Sequence, residues 1–133
     1  MPNNSSDREE TNMTSRASHK QRGSRFEVEL RDWFRSRQYD SERLARAGKD
    51  DEGDVSVKGF LGFIGIIEAK APGAGNKIDL SGWAKEARTE ANNYTKARGL
   101  DQGAVLPAVA IKARGKSLAD TYLVFRLGDL FDE

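Results

Sequence analysis

Apolar positions along the chain fall into two spacings, one helical and one extended. Phe26, Leu30, Trp33 and Phe34 stand at i, i+4, i+7 and i+8. This single stripe predicts a first helix over Ser24–Arg37, with Ser24 as its N-cap. Trp83, Ala87, Ala91 and Tyr94 repeat the pattern and predict a second helix over Asp79–Arg98, stopped by Gly99. Between them lies the apolar run Phe60–Ile67, whose short, isoleucine-rich part Phe63–Ile67 predicts a buried strand. Weaker strands are expected over Tyr39–Ala47 and Asp54–Val57. Two more are expected over Pro107–Ala113, led by its proline, and Thr121–Leu127. The order is helix, three strands, helix, two strands, an α/β arrangement around a mixed sheet.

Residues 1–22 are rich in Asn, Ser, Thr, Arg and Glu and nearly devoid of apolar side chains. Such a segment cannot bury enough surface to offset chain entropy, so a disordered tail is expected, with His19 inside it. One domain is expected over residues 23–133. No apolar run approaches the length of a membrane span and no signal-peptide pattern opens the chain, so a cytoplasmic place is expected.

The buried run over Phe63–Ile67 ends in Glu68, Ala69 and Lys70. Residues two apart on a strand share a face, so Glu68 and Lys70 point one way and Ala69 the other. If the strand opened by Asp54 pairs with this one, Asp54 and Glu68 converge. Carboxylates at the edge of an apolar core are costly to desolvate unless paired. A divalent cation would pair them; a Glu–Lys ion pair on a solvated strand end is the plainer alternative. The chain has no cysteine and one histidine. Any metal must then sit on carboxylates and backbone oxygens, which selects Mg²⁺ or Mn²⁺.

Other polar residues leave alternatives open. Glu27 and Glu29 flank the first helix's stripe, and periodicity does not choose between them. Glu90 falls inside the second helix's stripe. It could pair with Lys70, hold a water beside a metal, bond Tyr94 one turn on, or reach solvent from the stripe's end. Asp50, Asp51 and Glu52 do not match an EF-hand; they read as loop solvation, with assistance to a metal by one of them as the alternative. The net charge of +1 gives no global basic field. Local basic clusters exist at Arg31, Arg35 and Arg37, and at Lys112, Arg114 and Lys116. Each is either a solvated face or a set of phosphate contacts.

A Glu in the first helix, Gly53-Asp54 on one strand and Glu68-Ala69-Lys70 on the next, in the order αβββαββ, resembles the PD-(D/E)XK nuclease superfamily. Within it the chain is most similar to Holliday junction resolvases of the archaeal and phage type. Gly23-Ser-Arg-Phe-Glu27 resembles their opening Gly-x-x-x-Glu and favours Glu27 over Glu29. Arg46-Ala-Gly48 resembles their basic glycine turn, and Glu90-x-x-x-Tyr94 a Gln-x-x-x-Tyr element of the exonuclease branch. Gly53 stands where the family pattern has Pro, and the resolvases' loop serine has no counterpart.

The resemblance implies a restriction-endonuclease-like core and a Mg-dependent DNA endonuclease acting on four-way junctions as a homodimer, in a bacterial or phage-infected cell. It implies that Asp54, Glu68 and the carbonyl of Ala69 hold the metal, that Glu27 completes its surroundings, and that Lys70 orients the attacking water. Glu90 and Tyr94 would support the site. Arg31, Arg35, Arg46, Lys49, Lys112 and Arg114 would hold the DNA backbone. Two alternatives stand beside this reading: a DNA-binding or assembly module that keeps the fold without cutting, and another nuclease of the superfamily, restriction-type or exonuclease.

Overall fold

The computed structural model describes residues 24–44 and 51–131. The expected tail lies outside the described residues. A helix (α1) occupies 24–36. Residue 24 is already helical, so Ser24 is not its cap. Strands β1 (Asp40–Arg43), β2 (Val55–Phe60) and β3 (Phe63–Lys70) follow, then helix α2 (Leu80–Arg98) and strands β4 (Val105–Ile111) and β5 (Tyr122–Val124). The five strands form one mixed sheet in the order β1-β2-β3-β4-β5. Only β3 and β4 run parallel, with α2 as their crossover.

The two helices cover opposite faces, as the alternation along the central strands requires. Phe26, Leu30 and Phe34 of α1 pack on Val55, Val57, Ile67, Ala108 and Ala110. Ala91 and Tyr94 of α2 pack on Ile66 and Val105, and Ala87 on Val109 and Ile111. Burying Phe26 completely contributes about 1.5–3 kcal/mol. The α2 ends follow their sequence signals. Asp79 caps the N-terminus by accepting from the Gly82 amide, and Gly99 closes the C-terminus in the left-handed conformation.

Several expected bounds shift. β1 ends at Arg43, and residues 45–50 lie outside the described ones. β2 begins after Asp54, not at it. Pro107 is the third residue of β4 rather than the first. It is tolerated because β5 pairs only with Val109–Ile111, leaving one flank of Pro107 without a strand. β5 is shorter than expected, because a 3₁₀ turn takes Leu127–Leu130. Arg88 of α2 bonds Asp129 in that turn at 2.6 Å.

The β2–β3 hairpin turns on Leu61 and Gly62, both at positive φ (52° and 86°). That is the backbone of a two-residue turn that favours Asn-Gly. Leu61 is also exposed. Leu61→Asn should therefore stabilise the protein by up to about 1 kcal/mol in denaturant unfolding. A loss of stability would show that this turn is not strained.

Candidate active site

The register Val55↔Ile67 and Ser56↔Ile66 sets Asp54 opposite Glu68 at the end of the β2–β3 pair. The Asp54 amide donates to the Ile67 carbonyl (3.1 Å). Its Oδ2 accepts from the Ala69 amide (2.8 Å). The Lys70 carbonyl, one residue on, faces β4 and accepts from the Lys112 amide. Backbone groups alternate sides along a strand, so the Ala69 carbonyl lies on the Asp54 flank. Glu68 shares its face with Ile66, so it looks toward α2.

Gly53 gives the turn before Asp54 its shape. Its φ is +104°, and a Cβ there would meet Ile66 Cγ2 at 2.9 Å. Proline is locked near −65° and cannot adopt this backbone. Glycine rather than proline is therefore required by this turn. Helix α2 pins the same loop: Asn93 donates to the Asp51 carbonyl (2.8 Å), Arg98 pairs with Glu52, and Asp51 Oδ1 accepts from the Gly53 amide. Asp51 and Glu52 thus hold the loop in place; loop solvation, the sequence expectation, is not their role.

Glu27, Asp54, Glu68 and Glu90 are all buried. Glu27 reaches Asp54 from α1, and Arg43 Nη2 bonds its Oε2 at 3.1 Å. Burial, with the hydrogen bond and charge of Asp54, raises the Glu27 pKa to about 7 against the pull of Arg43. Glu29 lies 3.9 Å from Lys112, so α1 directs Glu27, not Glu29, to the site. Burial, the Glu90 hydrogen bond and the charges of Asp54 and Glu90 push Glu68 to about 10, with Lys70 opposing. Glu90 rises to about 7, chiefly by burial and by Asp51, Asp54 and Glu86, although its bond to Glu68 lowers it. Oε2 of Glu68 and Oε2 of Glu90 are buried and hydrogen-bond nothing. Lys70 Nζ stands 3.4 Å from Glu68 and 3.1 Å from Glu86. Burial opposes its charge, but Glu68 and Glu86 outweigh that and raise its pKa.

Glu90 thus meets Glu68 rather than Lys70 or Tyr94. The Tyr94 ring packs with Ile66, Ala91 and Val105 and carries the Arg98 guanidinium 3.7 Å from its centroid. Two residues of the neighbourhood escaped the sequence reading. Arg43 fell inside the weak strand expected over Tyr39–Ala47 and was given no role there. Glu86 precedes Glu90 by one helical turn, and that i, i+4 pair of acids was the available signal.

The expected DNA contacts are less uniform. Arg31 pairs with Asp32 (3.0 Å). Arg35 Nε donates to the Ser41 carbonyl (2.7 Å), so it braces β1 against α1. Lys112 and Arg114 line a cavity of about 200 Å³ with Ala71–Ala74 and Gly115. Arg46 and Lys49 lie outside the described residues. Comparison of the chain with protein-family models and with curated proteins finds no match.

Two outcomes follow from this geometry. Gly53→Ala should cost about 1–3 kcal/mol of stability, because alanine must take a backbone that favours glycine; an unchanged unfolding midpoint would contradict it. The raised carboxyls hold protons in the folded chain that the unfolded chain, near the ordinary value of 4.5, has already lost. Their contribution to stability is full below that value and falls as pH rises towards about 7. In chelator the melting temperature should therefore drop between about pH 5 and 8, and Mg²⁺ should flatten that slope. A rise with pH in chelator would count against the cluster.

Proposed function

We propose that the protein is a metal-dependent DNA endonuclease, acting on branched DNA as a homodimer. The observation that carries the reading is the end of the β2–β3 pair, where Asp54 stands opposite Glu68 in register, Glu27 reaches Asp54 and Lys70 reaches Glu68. Burial, with the charges of Asp54 and Glu90, disfavours an ionised Glu68 and raises its pKa to about 10. Protonation or a cation must relieve this. Buried carboxyl oxygens without partners on Glu68 and Glu90 favour a cation bound by hard oxygen donors.

Asp54, Glu68 and the Ala69 carbonyl would hold Mg²⁺ or Mn²⁺, with Glu27 completing the surroundings. Such an ion lowers the pKa of a bound water and neutralises charge on phosphoryl oxygens. Arg43 holds Glu27 against Asp54. Lys70, charged and anchored between Glu68 and Glu86, can orient the water and stabilise charge growing on the phosphate. The water oxygen forms a bond to phosphorus as one bridging P–O bond breaks, leaving a phosphomonoester and a hydroxyl. Lys112 and Arg114 offer backbone contacts that read no sequence. Cutting a symmetric junction calls for two such sites, hence the dimer. Among the described residues, no helix is long and apolar enough to cross a membrane.

Labelled four-way junction incubated with Mg²⁺ tests this reading. Wild type should cut, and Glu68→Ala should lose about a hundredfold or more in rate. Equal behaviour of the two proteins would end it. Equal cutting of linear duplex would remove only the junction preference.

A further inference from the structure

Glu86 adds a second group of acids on the α2 side of β3. Ligand atoms of Glu68, Glu86 and Glu90 all lie within 4.8 Å of one another. Around a Mg²⁺ with ligands at about 2.1 Å, adjacent oxygens lie about 3.0 Å apart and opposite ones about 4.2 Å. The half-exposed Glu86 side chain has the freedom to close in on the two buried acids. A further feature points to a ligand here. Glu68 and Glu90, each 4% exposed, both carry a buried oxygen without a hydrogen-bond partner. The ammonium of Lys70 already stands as a cation between Glu68 and Glu86, at 3.4 and 3.1 Å.

We propose that Glu68, Glu86 and Glu90 bind a second divalent cation, sharing Glu68 with the first. The proposal rests on the nuclease reading for that first ion. The second ion takes over from Lys70 the neutralisation of Glu86. The ammonium then keeps its contact with Glu68 and is released to face the substrate phosphate. The α2 helix thereby contributes metal ligands as well as packing.

The test is a Mn²⁺ titration of the full chain by calorimetry, with free Mn²⁺ followed by electron paramagnetic resonance. The Glu86 side chain is 45% exposed, so Glu86→Gln leaves the core untouched. Wild type should bind two ions. Glu86→Gln should weaken one of them about tenfold or more and keep the other. Asp54→Asn should weaken the other and keep the Glu86-dependent one. Glu86→Gln binding as wild type would overturn the second site and leave the nuclease reading standing. Two ions bound without any cleavage by wild type would end the nuclease reading and leave the second site standing.

Discussion

Repulsion among buried carboxylates is the constraint around which this structure is arranged. Glu27, Asp54, Glu68 and Glu90 come from four different segments and are all buried at one end of the sheet. Arg43 and Lys70 answer part of that charge. Burial first, and neighbouring acids after it, raise the pKa values of Glu27, Glu68 and Glu90. A fold that only needed stability would place apolar side chains there, since unpaired buried charge is among the costliest features a core can carry. A concentration of such groups is the pattern that functional sites show.

Fold and site are held by the same contacts. The β2–β3 register sets Asp54 against Glu68, and the Ala69 amide fixes the Asp54 carboxylate. Helix α2 is the crossover between β3 and β4, yet it also pins the loop before Asp54 through Asn93 and Arg98 and supplies Glu86 and Glu90. Gly53 joins these roles, because its backbone fits only against Ile66 without a side chain. A shift of α2 would therefore move the loop and two acids together.

Local signals made much of this legible in the sequence. The stripes of α1 and α2 and the apolar run of β3 named the helices and the central strand, because periodicity reports burial directly. Adjacent strands placed Asp54 near Glu68 for the same reason. What stayed hidden depends on distant pairing. Arg43 reaches Glu27 across sixteen positions of sequence, and Lys70 reaches Glu86 across the same separation. Arg35 braces a strand, although its spacing read as a basic outer face. The short β5 and the bounds of β1 and β2 depend on pairing and on end turns that propensity does not record.

Crystals equilibrated with Mn²⁺ and measured for anomalous scattering test the central claim most directly. The account predicts a peak bonded to the carboxylates of Asp54 and Glu68. Crystals that diffract well and show no manganese at either carboxylate would contradict it.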